Sequence, residues 1–297
     1  MSGSQPHSPT VREIGRSNGR VLGVCEYGDP KGFPVLAFHG IPGTRLMFRP
    51  TDTIARHLGL RIIAPDRPGF GCSTPQPERT LQDWLPDVDA ILNAYAIDRF
   101  SLIGVSGGSP FATATAARYG DRVAAMILIG PMGPIADLKG RVETSRLARV
   151  FFLGFPTVPG LLRGTLMPAN ALFRVSPGLQ YEIFLQALPA VDRVILRRPG
   201  RKAQVIEDVR ESLKQDGEGM RSDLRIYSRP WNIDYAAIRA STVLWQGLGD
   251  TVVPVEVALG LGELIPECRV ERIPNAGHFW IYDNIEHVLS ELRRLSS

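Results

Sequence analysis

Residues 100–120 read FSLIGVSGGSPFATATAARYG, and the order of residue types in them decides the fold. Phe100–Val105 is a short apolar run of strand length. Gly107–Tyr119 is rich in small residues and reads as a helix, with Pro110 in its first turn, where a missing amide is not needed. Between the two lies Gly104-Val105-Ser106-Gly107-Gly108, a Gly-x-Ser-x-Gly pattern. The pattern alone recurs by chance in chains of this composition. A strand directly before it and a helix directly after it make it a nucleophile elbow. A serine on so sharp a turn takes a strained backbone conformation, with its hydroxyl projecting above the sheet. Gly104 and Gly108 let the helix pass close to the strand.

Outward from this point, short apolar runs alternate with helical patterns. Val11–Ile14 and Val21–Tyr27 flank Asn18-Gly19, a type I′ dipeptide, and read as a hairpin. Pro34–His39 and Leu60–Asp66 are compact strands with a helical stretch near Thr51–His57 between them. Leu81, Trp84, Leu85, Val88, Ile91 and Leu92 place a helix within Thr80–Tyr95. Val123–Ile129 is a strand. The pattern resumes with a strand at Thr242–Gln246, a helix at Val255–Leu264, a strand at Arg269–Ile273 and a terminal helix from about Ile281. Repeated strand–helix–strand units predict an α/β fold with a mainly parallel sheet covered on both faces. Between Pro134 and Trp231 the strand signal disappears, while helical patterns such as Arg201–Leu213 and Pro-Gly punctuation continue. This stretch reads as an insertion between two strands, sitting over the sheet. Its apolar residues (Phe151, Phe152, Phe155, Leu161, Leu162, Phe173, Phe184, Leu185) exceed what an exposed loop needs and are expected to cover something.

Composition sets the bounds. The chain has 297 residues, 44% hydrophobic and 22% charged, which excludes a disordered or collagen-like protein. The apolar run Val150–Leu162 is too short to span a bilayer and is broken by two prolines, so no integral membrane association is expected. The first ten residues are polar and read as a flexible tail without the apolar core of a secretory leader. Three well-separated cysteines (Cys25, Cys72, Cys268) give neither a disulfide framework nor zinc spacing, and a reducing cytoplasm is the default. Net charge is +4, but residues 138–230 hold 16 Lys/Arg against 9 Asp/Glu. That excess reads first as a solvated arginine-rich surface, and no nucleic-acid module is present.

A serine hydroxyl needs an adjacent base. Of five histidines, His7 is in the tail, and His57 and His287 lie in helical patterns. His39 ends a strand before Gly40-Ile41-Pro42-Gly43 and reads as a brace for that loop. His278, in the NAGHF loop between the last strand and the last helix, stands where a parallel sheet presents its carboxyl ends, and it is the expected base. Asp250, after the strand TVLWQ, is the expected acid that fixes the base's tautomer. The alternative acid position after Ile129 reads Gly130-Pro131-Met132; Asp137, the nearest carboxylate, stands too far into the insertion. Asp66 reads as part of a structural turn. For a developing oxyanion, the expected donors are the amides of Gly107 and Ile41.

HGIPG at 39–43, DRPGFGCS at 66–73, GVSGG at 104–108, GLGDTVVP at 247–254 and NAGHF at 275–279 together resemble the α/β-hydrolase superfamily, in the order Ser…Asp…His. The resemblance implies an eight-stranded sheet with a helical lid inserted after the sixth strand, here about residues 135–230. The core is then 11–134 and 231–297. The chain resembles the single-domain HG-x-PG hydrolases that end the lid with a Pro-Trp pair, here Pro230-Trp231. Haloalkane dehalogenases and epoxide hydrolases carry Asp where this chain has Ser106. Proline iminopeptidases usually read HGGPG with a tryptophan after the nucleophile, where this chain has Ile41 and Gly107. The expected activity is carboxylesterase-type hydrolysis of a small-molecule ester or lactone, mostly apolar, through Ser106, His278 and Asp250, with no metal or cofactor implied. The same triad serves carbon–carbon bond hydrolysis and cofactor-free perhydrolysis, and the fold is also reused by ligand receptors and non-hydrolytic cyclases.

Overall fold

Eight strands form one sheet, apolar at its centre and charged at its two edges: β1 (Arg12–Gly15), β2 (Val21–Gly28), β3 (Phe33–Phe38), β4 (Leu60–Pro65), β5 (Phe100–Val105), β6 (Val123–Ile129), β7 (Ser241–Gly247) and β8 (Arg269–Ile273). The computed structural model describes residues 10–140, 142 and 150–297, with side chains for all of these but 150, 151, 155, 159, 161–163, 165 and 169. Residues 1–9 of the expected tail lie outside the described residues, as do the side chains of Phe151, Phe155, Leu161 and Leu162. The strand order is β1-β2-β4-β3-β5-β6-β7-β8. β2 runs antiparallel to both neighbours, and every other pair is parallel. Parallel pairs need crossovers, supplied by α1 (Asp52–His57), α2 (Leu85–Ala94), α3 (Ser109–Tyr119) and, between β7 and β8, α9 (Val255–Leu264). The chain ends in α10 (Ile281–Leu295).

The central strands are apolar on both faces because both faces are covered. Along β5, Phe100 and Leu102 join one core with Ile91 of α2 and Phe111 of α3. Ile103 and Val105 join the other, with Ala55 of α1 and Val288 and Leu292 of α10. Trp84 anchors the first core, edge-on to Phe38 at 5.4 Å and to Phe111 at 5.8 Å.

The β1–β2 hairpin forms, with a different turn from the type I′ expected. Of Asn18 and Gly19 only Gly19 has positive φ (+80°). Its amide donates to Arg16 at 3.0 Å, and the Arg16 amide donates to Arg20 at 2.8 Å. Type I′ needs positive φ at both central residues, and the five-residue connection leaves Asn18 free of that demand.

Between β6 and β7 the described residues form α4 (Pro159–Val175), α5 (Pro177–Gln186), α6 (Ala190–Leu196), α7 (Arg201–Ser212) and α8 (Glu218–Tyr227). The Trp231 amide donates to Asp137 at 3.0 Å, so the acid nearest the alternative position joins the two ends of this segment. A buried ion cluster fastens α8 to the sheet. Arg67, just past β4, donates to Asp223 at 2.8 and 3.0 Å, and Arg79 also donates to Asp223. All three side chains are fully covered. Arg67 also donates to the carbonyls of His39 and Gly40, so the same carboxylate steadies the loop after β3.

Removing one partner of such a cluster leaves uncompensated buried charge. Asp223→Ala is expected to lower unfolding free energy by about 3–5 kcal/mol. Urea denaturation monitored by tryptophan fluorescence measures this, and a loss under about 1 kcal/mol would show the cluster to be dispensable.

Candidate active site

Ser106 follows the last residue of β5 at φ +50°, a left-handed conformation that is uncommon for a residue with a side chain. Three glycines around it make the turn possible. A Cβ at Gly104 would lie 2.8 Å from the Ser109 Cα, and one at Gly108 would overlap the carbonyls of Phe38 and His39. One at Gly107 would meet the Tyr227 hydroxyl. The turn projects the Ser106 hydroxyl to the carboxyl ends of the strands, where the loops after β3, β6, β7 and β8 converge.

The structure brings the three residues singled out for chemistry into one chain of hydrogen bonds. Ser106 Oγ is 3.0 Å from His278 Nε2, and His278 Nδ1 is 2.7 Å from Asp250 Oδ2. With Nδ1–H donating to Asp250, Nε2 is free to accept from the serine. The amides of Val252 and Val253 donate to the other Asp250 oxygen at 2.8 and 3.0 Å, and the Gln246 side-chain amide donates to Oδ2 at 3.2 Å. Burial alone would raise the Asp250 carboxyl, but His278 and the Val252 and Val253 amides hold it below its ordinary value. Burial would likewise depress His278, but the charge and hydrogen bond of Asp250, with the charge of Asp192, raise it above the ordinary imidazole value.

Gly40 packs on Ser106: a Cβ there would lie 3.3 Å from Ser106 Cβ. The next residue is Ile41, whose amide has no protein acceptor among the described residues. His39 braces this loop. Its Nδ1–H donates to the Gly40 carbonyl at 2.8 Å, and its Nε2 accepts the Arg67 amide at 3.2 Å. Burial, with Arg67 close by, holds it well below the usual imidazole range. Both ring nitrogens are occupied, which leaves His278 beside the serine. Asp66 is engaged in turn geometry, accepting from the Arg45 amide and guanidinium at 2.8 and 2.6 Å and from the Cys72 amide at 3.0 Å. His57 and His287 are exposed.

Four features of the site are not among the residues singled out for chemistry in the sequence. Asp192, on α6, accepts the amides of His278 and Phe279 at 3.0 and 2.9 Å. Tyr227, on α8, donates to the Gly107 carbonyl at 2.7 Å. Asp208, on α7, accepts the Thr44 hydroxyl at 2.5 Å, and burial pushes its carboxyl up to about 7. Gly130, at φ +50°, leaves room for His278: a Cβ there would lie 3.2 Å from its Nδ1. Only Gly130 was visible as a glycine at a strand end.

A cavity of about 280 Å³ opens over Ser106 and His278. Met47, Phe48 and Val105 of the core line it, facing Phe173, Phe184, Val205 and Val209 of the helical segment. Its polar wall groups include Gln180, Arg201 and Asp208. A serine hydroxyl beside an imidazole, with the Ile41 loop next to it, thus stands at the foot of a mostly apolar cavity of the kind that binds small molecules.

The alpha/beta hydrolase fold family model matches residues 34–285. Among curated proteins the chain is similar to a 2-hydroxy-6-oxo-2,4-heptadienoate hydrolase from Pseudomonas putida, 27% identical over 271 residues, covering 84% of this chain and 83% of that one. It is also similar to a 2-hydroxymuconate semialdehyde hydrolase from Pseudomonas putida, 25% identical over 274 residues, covering 86% and 83%. Among solved structures, an esterase from Exiguobacterium antarcticum superposes with a TM-score of 0.70 at 22% identity, covering 97% of this chain and all of that one. Among the described residues no helix is long and apolar enough to cross a membrane. The sheet order, the elbow at Ser106 and the family match agree, and the chain belongs to the alpha/beta hydrolase fold family.

Proposed function

We propose that the protein is a serine hydrolase that cleaves carboxylic esters or lactones of small to medium, mostly apolar substrates through an acyl-enzyme. The observation that carries this reading is the continuous hydrogen-bonded chain from Ser106 through His278 to Asp250. Ser106 Oγ attacks the acyl carbonyl as its proton passes to His278 Nε2, and Asp250 stabilises the imidazolium. The amides of Ile41 and Gly107 receive the oxyanion. His278 returns the proton to the leaving alcohol, then activates water to release the acid. The cavity lies near the lower end of the roughly 300–1,000 Å³ common for ligand pockets, which favours short and medium acyl groups. The segment over residues 135–230 acts as the lid that sets this limit through Phe173 and Phe184.

A second reading, carbon–carbon bond hydrolysis, is favoured by the two hydrolases of Pseudomonas putida. Their named substrates are a dienoate and a semialdehyde. The two readings share the triad and differ in the bond cleaved.

Ser106→Ala is expected to lower kcat for p-nitrophenyl butyrate by a factor on the order of 10⁴–10⁶, with KM changing far less, since the nucleophile acts in the chemical step. A variant that keeps more than about a tenth of the parent's turnover would remove Ser106 from the mechanism. A panel of esters, lactones and vinylogous diketones separates the readings: esters and lactones should have the highest kcat/KM, and a preference for the diketones would favour the second.

The base must be neutral to accept a proton, and His278 is raised above its ordinary value. The kcat/KM for a neutral ester should therefore rise with pH to a plateau, with half-maximum above about 6.5. A profile flat from pH 5 to 8 would contradict the assignment of the base.

A further inference from the structure

Asp192 is a buried carboxylate that the reaction proposed above does not use. It is fully covered and belongs to the first turn of α6, in the segment between β6 and β7. Both of its oxygens are committed to the loop that carries the base, one to the His278 amide and one to the Phe279 amide. Among the described residues no arginine or lysine pairs with it. The loop is shaped to receive it, since a Cβ at Gly277 would overlap the carboxylate. The ionisable groups that act on it are His278 and Asp250, so the imidazole of His278 has one carboxylate bonded to Nδ1 and a second behind its own main chain.

The imidazole reaches both Ser106 and Asp250 from a single Cα through two side-chain torsions. Anything that lets that Cα drift lengthens both hydrogen bonds at once. We propose that Asp192 is a positioning residue, which fixes the main chain at His278 and supplies a second negative charge to the imidazole, so that proton transfer from Ser106 depends on a side chain carried by the helical segment. This rests on the triad reading above. It adds that the segment contributes to the chemical step as well as to the cavity wall.

Asp192→Asn removes the charge and one acceptor while keeping the side chain's size. We expect kcat to fall about 10–100-fold, the scale of a small misplacement of a reacting group, with KM within about threefold. The acid limb of kcat/KM should move to lower pH, because loss of a nearby anion disfavours the imidazolium. A merely structural role would lower thermal stability and leave the limb in place. Unchanged kcat, or an acid limb at the parent's pH, would overturn the proposal. Hydrogen–deuterium exchange of the parent protein provides a test that needs no variant to fold: the His278 and Phe279 amides should be protected, and exchange at the rate of open loops would overturn it as well. Fluorophosphonate labelling of the parent separates the two levels. Labelling at Ser106 with an unaltered Asp192→Asn enzyme would refute the role of Asp192 alone, whereas a parent that neither labels nor turns over esters would refute the triad reading and this proposal with it.

Discussion

The left-handed backbone of Ser106 is the constraint on which the rest of the site depends. A serine at φ +50° is held there only if the strand before it, the helix after it and the loop beside it all come close. Each approach has its glycine. Gly104 lets α3 pass β5, Gly108 lets the turn meet the β3 carbonyls, and Gly40 lets the neighbouring loop rest on the serine itself. Burial of β5 on both faces fixes the strand that delivers the turn. With the turn in place, the hydroxyl stands where the loops after β7 and β8 bring Asp250 and His278.

The helical segment between β6 and β7 is bound to this arrangement at three points. Asp192 of α6 holds the His278 loop, Asp208 of α7 holds Thr44 beside the Gly40–Gly43 loop, and Tyr227 of α8 holds the Gly107 carbonyl. Arg67 and Asp223 join the same segment to the core through fully covered charges. These are short-range, directional contacts, and moving any one of the three helices breaks one of them. Some of the segment's positive charge has an equally local use. Arg198 pairs with Asp283, Arg174 with Asp216 and Lys202 with Glu182. Such pairs are exposed and contribute little to stability individually, but they reduce the field that the excess of arginine suggests.

Much of the fold was legible in the sequence because it is written in local patterns. Compact apolar runs marked the strands, helical spacing marked Leu85–Ala94, and the strand–turn–helix context marked Ser106. His278 and Asp250 were legible by position, since each follows a strand that ends on the same side of a parallel sheet. What stayed hidden is long-range. Nothing around Asp192 distinguishes it from any other acid in an amphipathic helix, and its partners lie 86 and 87 residues away. Asp223 and Tyr227 sit one turn apart on α8, yet their meaning comes from Arg67 and Gly107, across 156 and 120 residues. The hairpin turn differed for a local reason: Asn18-Gly19 suits type I′ only in a two-residue connection, and here five residues join the strands.

The most direct test of the account is to catch the intermediate. The enzyme is mixed with excess p-nitrophenyl acetate, quenched in acid during turnover, and digested for peptide mass spectrometry. A single added acetyl group on the peptide containing Ser106, absent from Ser106→Ala and scarce in His278→Ala, is the result this account predicts. Turnover of the ester with no adduct on that peptide, or an adduct on a different residue that survives Ser106→Ala, would contradict it.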